Sequence, residues 1–479
     1  MAPDSGKEVD SMPVLASFMV PHPPLIVPEV GRGGEKEVEL TIRSYEKVAD
    51  EIAKIRPETI VITSPHSILY GDYFHISPGK SAKGSFASFR APSVKFFEEY
   101  DGDLVDKISE IAYHEDFPCG TLGEEDKDLD HGTMVPLWFI RNKYKEGKIV
   151  RIGLSGLPLT DHYKLGTIIA RAVNALDRKV VFVASGDLSH KLQDYGPYGF
   201  AKEGPEYDER IMDVMGRAAF GELFDFDEAF CDKAAECGHR SFVIMAGAWD
   251  GKRVKATAYS HEDVTGVGYG ICSFYPEDVD DEGKNADRKF LAIRLKEKEK
   301  EIEEQIASSD EYVRLARKTI ETYIRTGEKI RPAEMDLPSE MKERRAGAFV
   351  SIHKQGLLRG CIGTIGPTMK NLAQEIVTNA ISASTRDPRF DPIRESELPW
   401  LEINVDVLGE AEDIDSIDQL DVKRYGVIVS TRDGRRGLLL PDLDGVDTPE
   451  EQVSIAMRKG GIQKHEKYFL QRFEVVRHI

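Results

Sequence analysis

The sequence predicts an α/β domain on a mostly parallel sheet, followed by an α+β domain with an antiparallel sheet. Three observations carry this expectation. Before residue 276, short apolar β-branched runs alternate with longer amphipathic stretches. After residue 307 a helical pattern comes first and paired strand patterns follow. Between them, residues 277–306 form a composition break, an acidic run passing into alternating Lys and Glu. A βαβ order implies parallel strands with helices on the faces, whereas strands joined by tight turns imply antiparallel pairing. At about 150 residues per domain, 479 residues make two or three domains. The expected division is 13–276, a charged linker and helix over 277–306, and 307–479.

In the first domain VLASFMV (14–20), TIVITS (59–64), KIVRIGLS (148–155) and KVVFVAS (179–185) read as buried strands. EKEVELTIRSYEKVADEIAKI and the stretch 161–176 read as the intervening helices. The Asp cluster of the linker lacks the Gly and terminal Glu of a calcium loop, so it reads as solvated chain. In the second domain DEYVRLARKTIETYIRTGE is a helix, and GAFVSIHKQGLLRGCIGTIGP is two strands meeting at Lys354-Gln355-Gly356. A helix over 367–384 and strands in LEINVDVLGE (401–410) and GVIVSTRDGRRGLLLP (426–441) complete it, Asp433-Gly434 marking a hairpin.

Lys and Arg number 64 against 84 Asp and Glu, a net charge of −20. That sign repels phosphate backbones and argues against nucleic-acid binding; a partner's docking face is expected to be basic. No run of about 18 apolar residues appears, so no membrane span is expected. The polar start Met-Ala-Pro-Asp-Ser-Gly-Lys-Glu is unlike a secretory signal. Five cysteines in no pairing pattern predict a reducing, cytoplasmic setting without disulfides.

Nine of the twelve histidines precede residue 276, and three follow strand patterns at the same end. VLASFMV runs into Pro21-His22-Pro23-Pro24, TIVITS into Pro65-His66, and KVVFVAS into Gly186-Asp187-Leu188-Ser189-His190. His131, in Asp130-His131-Gly132-Thr133, precedes the apolar stretch MVPLWFI. Ligands of parallel sheets collect at the carboxyl ends of the strands, so these residues should converge on one pocket. Imidazole suits Fe, Zn, Cu or Ni. His75, His114, His162 and His261 are expected to be structural. An iron site of the two-His-one-carboxylate type needs an acid as well. Glu236, in Ala234-Ala235-Glu236-Cys237-Gly238-His239-Arg240, is the candidate, and adjacent Cys237 competes for the role. Its thiolate would turn the site towards Zn or Cu(I). Asp187 and His239 are candidates for orienting the ligands, and Arg240, Tyr195 or Tyr198 for orienting a substrate.

The motifs PHPPLIVPEVG, SPHS, LDHGTMVPLWF, SGDLSH and AAECGHRSFVIMAG, in that order, resemble the class III extradiol dioxygenase (LigB-like) superfamily and its Memo branch. The resemblance implies Fe(II) held by His22, His66 and Glu236, with His190 as acid/base and His131 lining the pocket. The expected reaction consumes O₂ and a small phenolic substrate. In the Memo branch the third ligand is instead the Cys of a Cys-Gly motif, which is Cys237 here. Both alternatives stand at the level of sequence.

In the second domain Leu358-Arg359-Gly360-Cys361-Ile362-Gly363-Thr364 places Cys361 on a strand, where a small buried residue is the plainest reading. LRGCIGT, RDPRFDPIRESELPWLEINVDVL and GLLLP resemble the AMMECR1 family. What this implies is a surface groove with Arg359, Cys361, Arg386 and Arg389 as its polar residues. The pairing of a Memo-like with an AMMECR1-like segment resembles two components of the AmmeMemoRadiSam system. The third, a radical-SAM protein, is then an expected separate partner, since this chain has no CxxxCxxC cluster motif.

Overall fold

The computed structural model describes residues 14–125, 128–277, 286–443 and 445–479. The start of the chain and most of the acidic part of the predicted linker lie outside the described residues. The chain forms two compact units, residues 1–295 and 296–479. No helix among the described residues is long and apolar enough to cross a membrane.

The first unit is built on a six-stranded mixed sheet. Its strands are β1 (Val14–Val20), β2 (Thr59–Ser64), β3 (Lys148–Gly153), β4 (Val180–Ser185), β5 (Val254–Glu262) and β6 (Tyr269–Pro276). The order is β3-β2-β4-β1-β6-β5. The first four are mutually parallel, and β6 and β5 add antiparallel at one edge. Every residue of β2 and β4 is buried, as continuous Val/Ile/Phe runs demand when both faces are covered.

Helices cover both faces: α1 (Glu39–Ile55), α2 (Gly102–His114), α3 (His131–Lys143), α4 (Leu159–Ala175), α5 (Glu203–Gly216) and α6 (His239–Gly247). The strand period of two sorts side chains between two cores. Phe18, Ile60, Ile62, Val181 and Val183 pack with Val48 and Ile52 of α1 and Val135 and Phe139 of α3. Met19, Val61, Phe182 and Ala184 pack with α2, α4, α5 and α6. Each of the larger side chains, Val, Ile, Phe and Met, contributes about 1.5–3 kcal/mol on burial. The division between units falls inside α7 (Phe290–Ser308).

Three of the four histidines expected to be structural make identifiable structural contacts. His75 Nδ1 meets the Leu122 carbonyl at 3.0 Å and His162 Nδ1 the Pro158 carbonyl at 3.0 Å. His261 pairs with Asp208 at 2.6 Å. His114 ends α2.

The second unit carries helices α8 (Glu311–Thr326), α9 (Leu372–Thr385) and α10 (Pro449–Lys459). Its strands are β7 (Ala348–Lys354), β8 (Leu357–Gly363), β9 (Leu401–Leu408), β10 (Glu412–Ile414), β11 (Gly426–Ser430), β12 (Arg436–Leu439), β13 (Phe469–Phe473) and β14 (Val475–His478). They form two antiparallel sheets rather than one, β8-β7-β9-β14 and β10-β13-β11-β12. Gln355 and Gly356 close the β7–β8 hairpin with φ of 53° and 80°, the pair of left-handed residues that a two-residue turn of matching twist requires. Asp310 caps α8 by accepting from the Tyr312 and Val313 N–H groups.

Candidate metal centre

The adjacent strands β2, β4 and β1 end together, and the chain leaving each delivers a polar residue to the same place. Pro21 and His22 follow β1, Pro65 and His66 follow β2, and the loop 186–190 follows β4. Tyr45 of α1, fully buried, donates its hydroxyl to the Pro21 carbonyl and so fixes the turn that aims His22. Asp130 caps α3 through the Thr133 N–H at 3.0 Å, accepts from Ser64 Oγ at 2.5 Å, and lies 3.6 Å from buried Arg151. Ser64 Oγ in turn accepts the His66 N–H at 3.2 Å.

His22 Nε2 lies 3.0 Å from His66 Nε2 and 3.6 Å from Cys237 Sγ. These three donor atoms all fall within 4.8 Å of one another. Ser185 decides the tautomer. Its hydroxyl donates to the Gly132 carbonyl at 2.6 Å and therefore accepts from His22 Nδ1 at 3.0 Å. That leaves the His22 Nε2 lone pair bare and turned to His66 and Cys237. Two imidazoles and a thiolate around a tetrahedral ion would stand about 3.3 Å (N to N) and 3.6 Å (N to S) apart. The donor set and spacing fit a transition-metal ion.

Burial, with His66 and His131 beside it, holds the His22 imidazole well below its usual pKa, so it is neutral as a ligand must be. Burial also lowers His66, and brings His131 down to about 4. Burial, reinforced by the Asp187 and Glu236 carboxylates, pushes the Cys237 thiol well up. A bound dication reverses that and deprotonates a coordinating thiol. His22 is buried and His66 exposed, so the cluster opens to solvent on the His66 side.

Cys237 arrives from the turn before α6. Ala235 ends the preceding helix with a left-handed φ of 54°, and the chain then presses against the 186–190 loop. A Cβ on Gly186 would stand 2.1 Å from the Gly238 Cα, so only glycine permits this approach. The contact is sealed by the Asp187 N–H, which donates to Cys237 Sγ at 3.3 Å.

Glu236, the other candidate for third ligand, is not among the donors gathered with His22 and His66. Its carboxylate turns away from the histidines and accepts the His239 N–H at 2.6 Å. The free N–H groups at the start of α6 attract a carboxylate more directly than the cluster does. Burial raises its pKa to about 7. His239 does not orient a ligand: it meets the Tyr207 hydroxyl at 3.3 Å and the Leu223 carbonyl at 3.0 Å inside the core. Arg240 is likewise turned aside, in an ion pair with Glu228 at 2.7 Å.

Asp187 does sit at the site. It accepts the His22 N–H at 2.7 Å through Oδ1, and its Oδ2 lies 3.9 Å from His22 Nε2 and 4.0 Å from His190 Nε2. His190 donates Nδ1–H to the Ala235 carbonyl, which leaves its Nε2 bare as well. Tyr198 places its ring 5.2 Å from that of His190, whereas the Tyr195 hydroxyl reaches the Val264 carbonyl at 3.4 Å. His131 lies against His66 with ring centroids 3.9 Å apart. It also borders a cleft of about 590 Å³ whose walls include Lys83, Lys95, Phe89 and Phe96. Ser185, Ser64 and Asp130 were not singled out from sequence. The signal was there: each serine is the polar last residue of a β-branched, buried strand, and Asp130 stands at the N-cap position before an apolar helical run.

In the second unit Arg359 grips Glu397 with two bonds of 2.9 and 3.0 Å, and Arg389 grips Asp387 with 2.9 and 2.7 Å. Asp387 accepts the Cys361 N–H at 2.8 Å, and Arg389 donates to the Cys361 carbonyl at 3.1 Å. Arg389 holds the Asp387 carboxyl down at about 2. Arg386 is exposed at the end of α9. A cleft of about 510 Å³ in this unit is lined elsewhere, by Arg344, Arg345, Leu408, Arg436 and Phe473 among others.

The family model described as the catalytic LigB subunit of aromatic ring-opening dioxygenase matches residues 16–272, and the AMMECR1 model matches residues 313–478. A protein of Clostridium acetobutylicum is 40% identical over 468 residues, which span 96% of this chain and 98% of that one. A Thermotoga maritima protein is 51% identical over 169 residues, 35% of this chain and 96% of that one. A solved structure from Pyrococcus horikoshii shares 31% identity over 35% of this chain and 88% of its own, with a TM-score of 0.32. The chain belongs to the family of the catalytic LigB subunit of aromatic ring-opening dioxygenase, with that domain joined to an AMMECR1 domain.

Proposed function

We propose that the first domain is a Memo-like metal-binding module that holds an ion through His22, His66 and Cys237. One observation carries the reading: the Ser185 hydroxyl fixes His22 with a bare Nε2, 3.0 Å from His66 Nε2 and 3.6 Å from Cys237 Sγ. Family membership supports Fe(II), and the sulfur donor supports Zn²⁺ or Cu⁺ as competitors. Once bound, such an ion would supply Lewis-acid chemistry, and redox chemistry as well were it iron or copper.

The surrounding residues favour a small aromatic substrate such as a phenol. Phe89 and Phe96 give the neighbouring cleft apolar walls, and Lys83 and Lys95 supply cations beside the carboxylates of Asp128 and Asp130. His131, whose ring lies tilted against that of His66, forms the border between cleft and donor cluster. A second reading, O₂-dependent oxidation of that substrate, is favoured by the free Nε2 of His190, which can take up or release a proton there. The AMMECR1 domain is proposed to dock a separate radical-SAM protein, a reading supported by the combination of the two domains in one chain.

The test compares Cys237→Ser with Glu236→Ala in the full-length protein, reconstituted without oxygen and analysed for metal. Loss of the metal on the cysteine change alone is expected. Retention in Cys237→Ser with loss in Glu236→Ala would overturn the ligand set.

A further inference from the structure

Cys237 belongs to two donor clusters, not one. Asp187, His190 and Cys237 also bring a carboxylate oxygen, an imidazole nitrogen and the same sulfur within 4.8 Å of one another. Asp187 is 6% exposed, and among the described residues the groups of opposite potential charge around it are histidines, His22, His190, His66 and His131, while no Lys or Arg pairs with it. A buried carboxylate without a permanent cation is costly unless something positive joins it. Its Oδ1 is occupied by the His22 N–H, while Oδ2 stands 4.0 Å from His190 Nε2. That gap is too long for a hydrogen bond. It is wider than the edge of about 3.3 Å between two ligands of a tetrahedral ion, so a shared ion would draw the two side chains together by roughly 0.7 Å. The Ala235 carbonyl takes the Nδ1–H of His190, so the nitrogen facing the gap carries a lone pair.

We propose that a second thiophilic cation binds between Asp187 Oδ2, His190 Nε2 and Cys237 Sγ, so that the Cys237 thiolate bridges two ions. The proposal rests on the reading of His22, His66 and Cys237 as the first site. A thiolate has lone pairs enough to serve both. The tight contact of Gly186 with Gly238 brings the two loops together, so that Cys237 Sγ is a donor in both clusters. In this arrangement His190 is a ligand, a role that excludes proton transfer at the same Nε2 while the ion is bound.

The experiment is Zn²⁺ binding to the full-length protein by equilibrium dialysis and elemental analysis, with circular dichroism and thermal melting to confirm folding. Wild type is expected to bind two Zn²⁺ per chain. Asp187→Asn and His190→Gln, which keep shape and polarity, are each expected to bind one, and so is His66→Gln. Cys237→Ala is expected to weaken both binding steps by at least about 100-fold, beyond the effect of losing an outer-shell partner. One Zn²⁺ in wild type, unchanged in Asp187→Asn and His190→Gln but lost in His66→Gln, overturns the second site and leaves the first standing. One Zn²⁺ lost from all three variants means a single shared ion, which also overturns it. No Zn²⁺ in wild type overturns both sites.

Discussion

Ser185→Ala is the substitution that separates a preformed metal site from a chance cluster of histidines. The hydroxyl is fully buried at the last position of β4. It accepts from His22 Nδ1 at 3.0 Å and donates to the Gly132 carbonyl at 2.6 Å. Its removal strands one donor and one acceptor, each costing about 1–3 kcal/mol of stability when left unmade. The effect on metal is separate. Without Ser185 the His22 ring is free to carry its proton on Nε2, where it blocks coordination. Loss of a partner that orients a metal-binding histidine lowers affinity about 10–100-fold, equivalent to about 1.4–2.7 kcal/mol. Competitive titration against a chromophoric chelator measures this directly, with thermal melting recorded alongside. Ser185→Thr retains the hydroxyl and is expected to retain most of the affinity. A Ser185→Ala protein that melts lower yet binds metal within twofold of wild type would refute the reasoning.

Other expectations follow from the same geometry. Gly186→Ala puts a Cβ 2.1 Å from the Gly238 Cα; a loss of about 1–3 kcal/mol in denaturant unfolding is expected, together with loss of metal as Cys237 is displaced. Gly356→Ala, at φ 80° in the β7–β8 hairpin, should lower stability by about 1–2 kcal/mol without altering metal content. Arg389 holds Asp387 at a pKa of about 2. A depressed carboxylate stabilises the fold above its unfolded pKa near 3.9, and that stability is lost as pH falls towards 2. Arg389→Ala is therefore expected to destabilise at pH 7 by on the order of 1 kcal/mol, discounted for the exposure of the arginine. In acid titration the difference should vanish near pH 2.

What could be read from sequence divides along physical lines. β1, β2 and β4 were legible because burial on both faces forces continuous β-branched runs, and the histidines after them were legible because strand ends of a parallel sheet share one edge. β5 and β6 were not read: VKATAYSHE packs only partly, so its pattern is diluted by exposed Lys255 and Thr257. The choice between Glu236 and Cys237 was beyond sequence. Adjacent residues point apart, and which one faces the histidines depends on the left-handed turn at Ala235 and on the N–H groups at the start of α6. His239 was drawn into the site by its place in the motif, although the helix turns it into the core. In the second unit the hairpins were marked by Gln355-Gly356 and Asp433-Gly434. The split into two sheets depends on long-range pairings such as β9 with β14, which no local pattern records.

The central claim is that sulfur from Cys237 shares a metal ion with His22 and His66. X-ray absorption at the metal edge of the full-length protein, reconstituted without oxygen, tests it most directly. The account predicts a sulfur shell, at about 2.3 Å for Zn²⁺, together with imidazole scattering, and its disappearance in Cys237→Ser. A shell of nitrogen and oxygen alone, unchanged by that substitution, would contradict it.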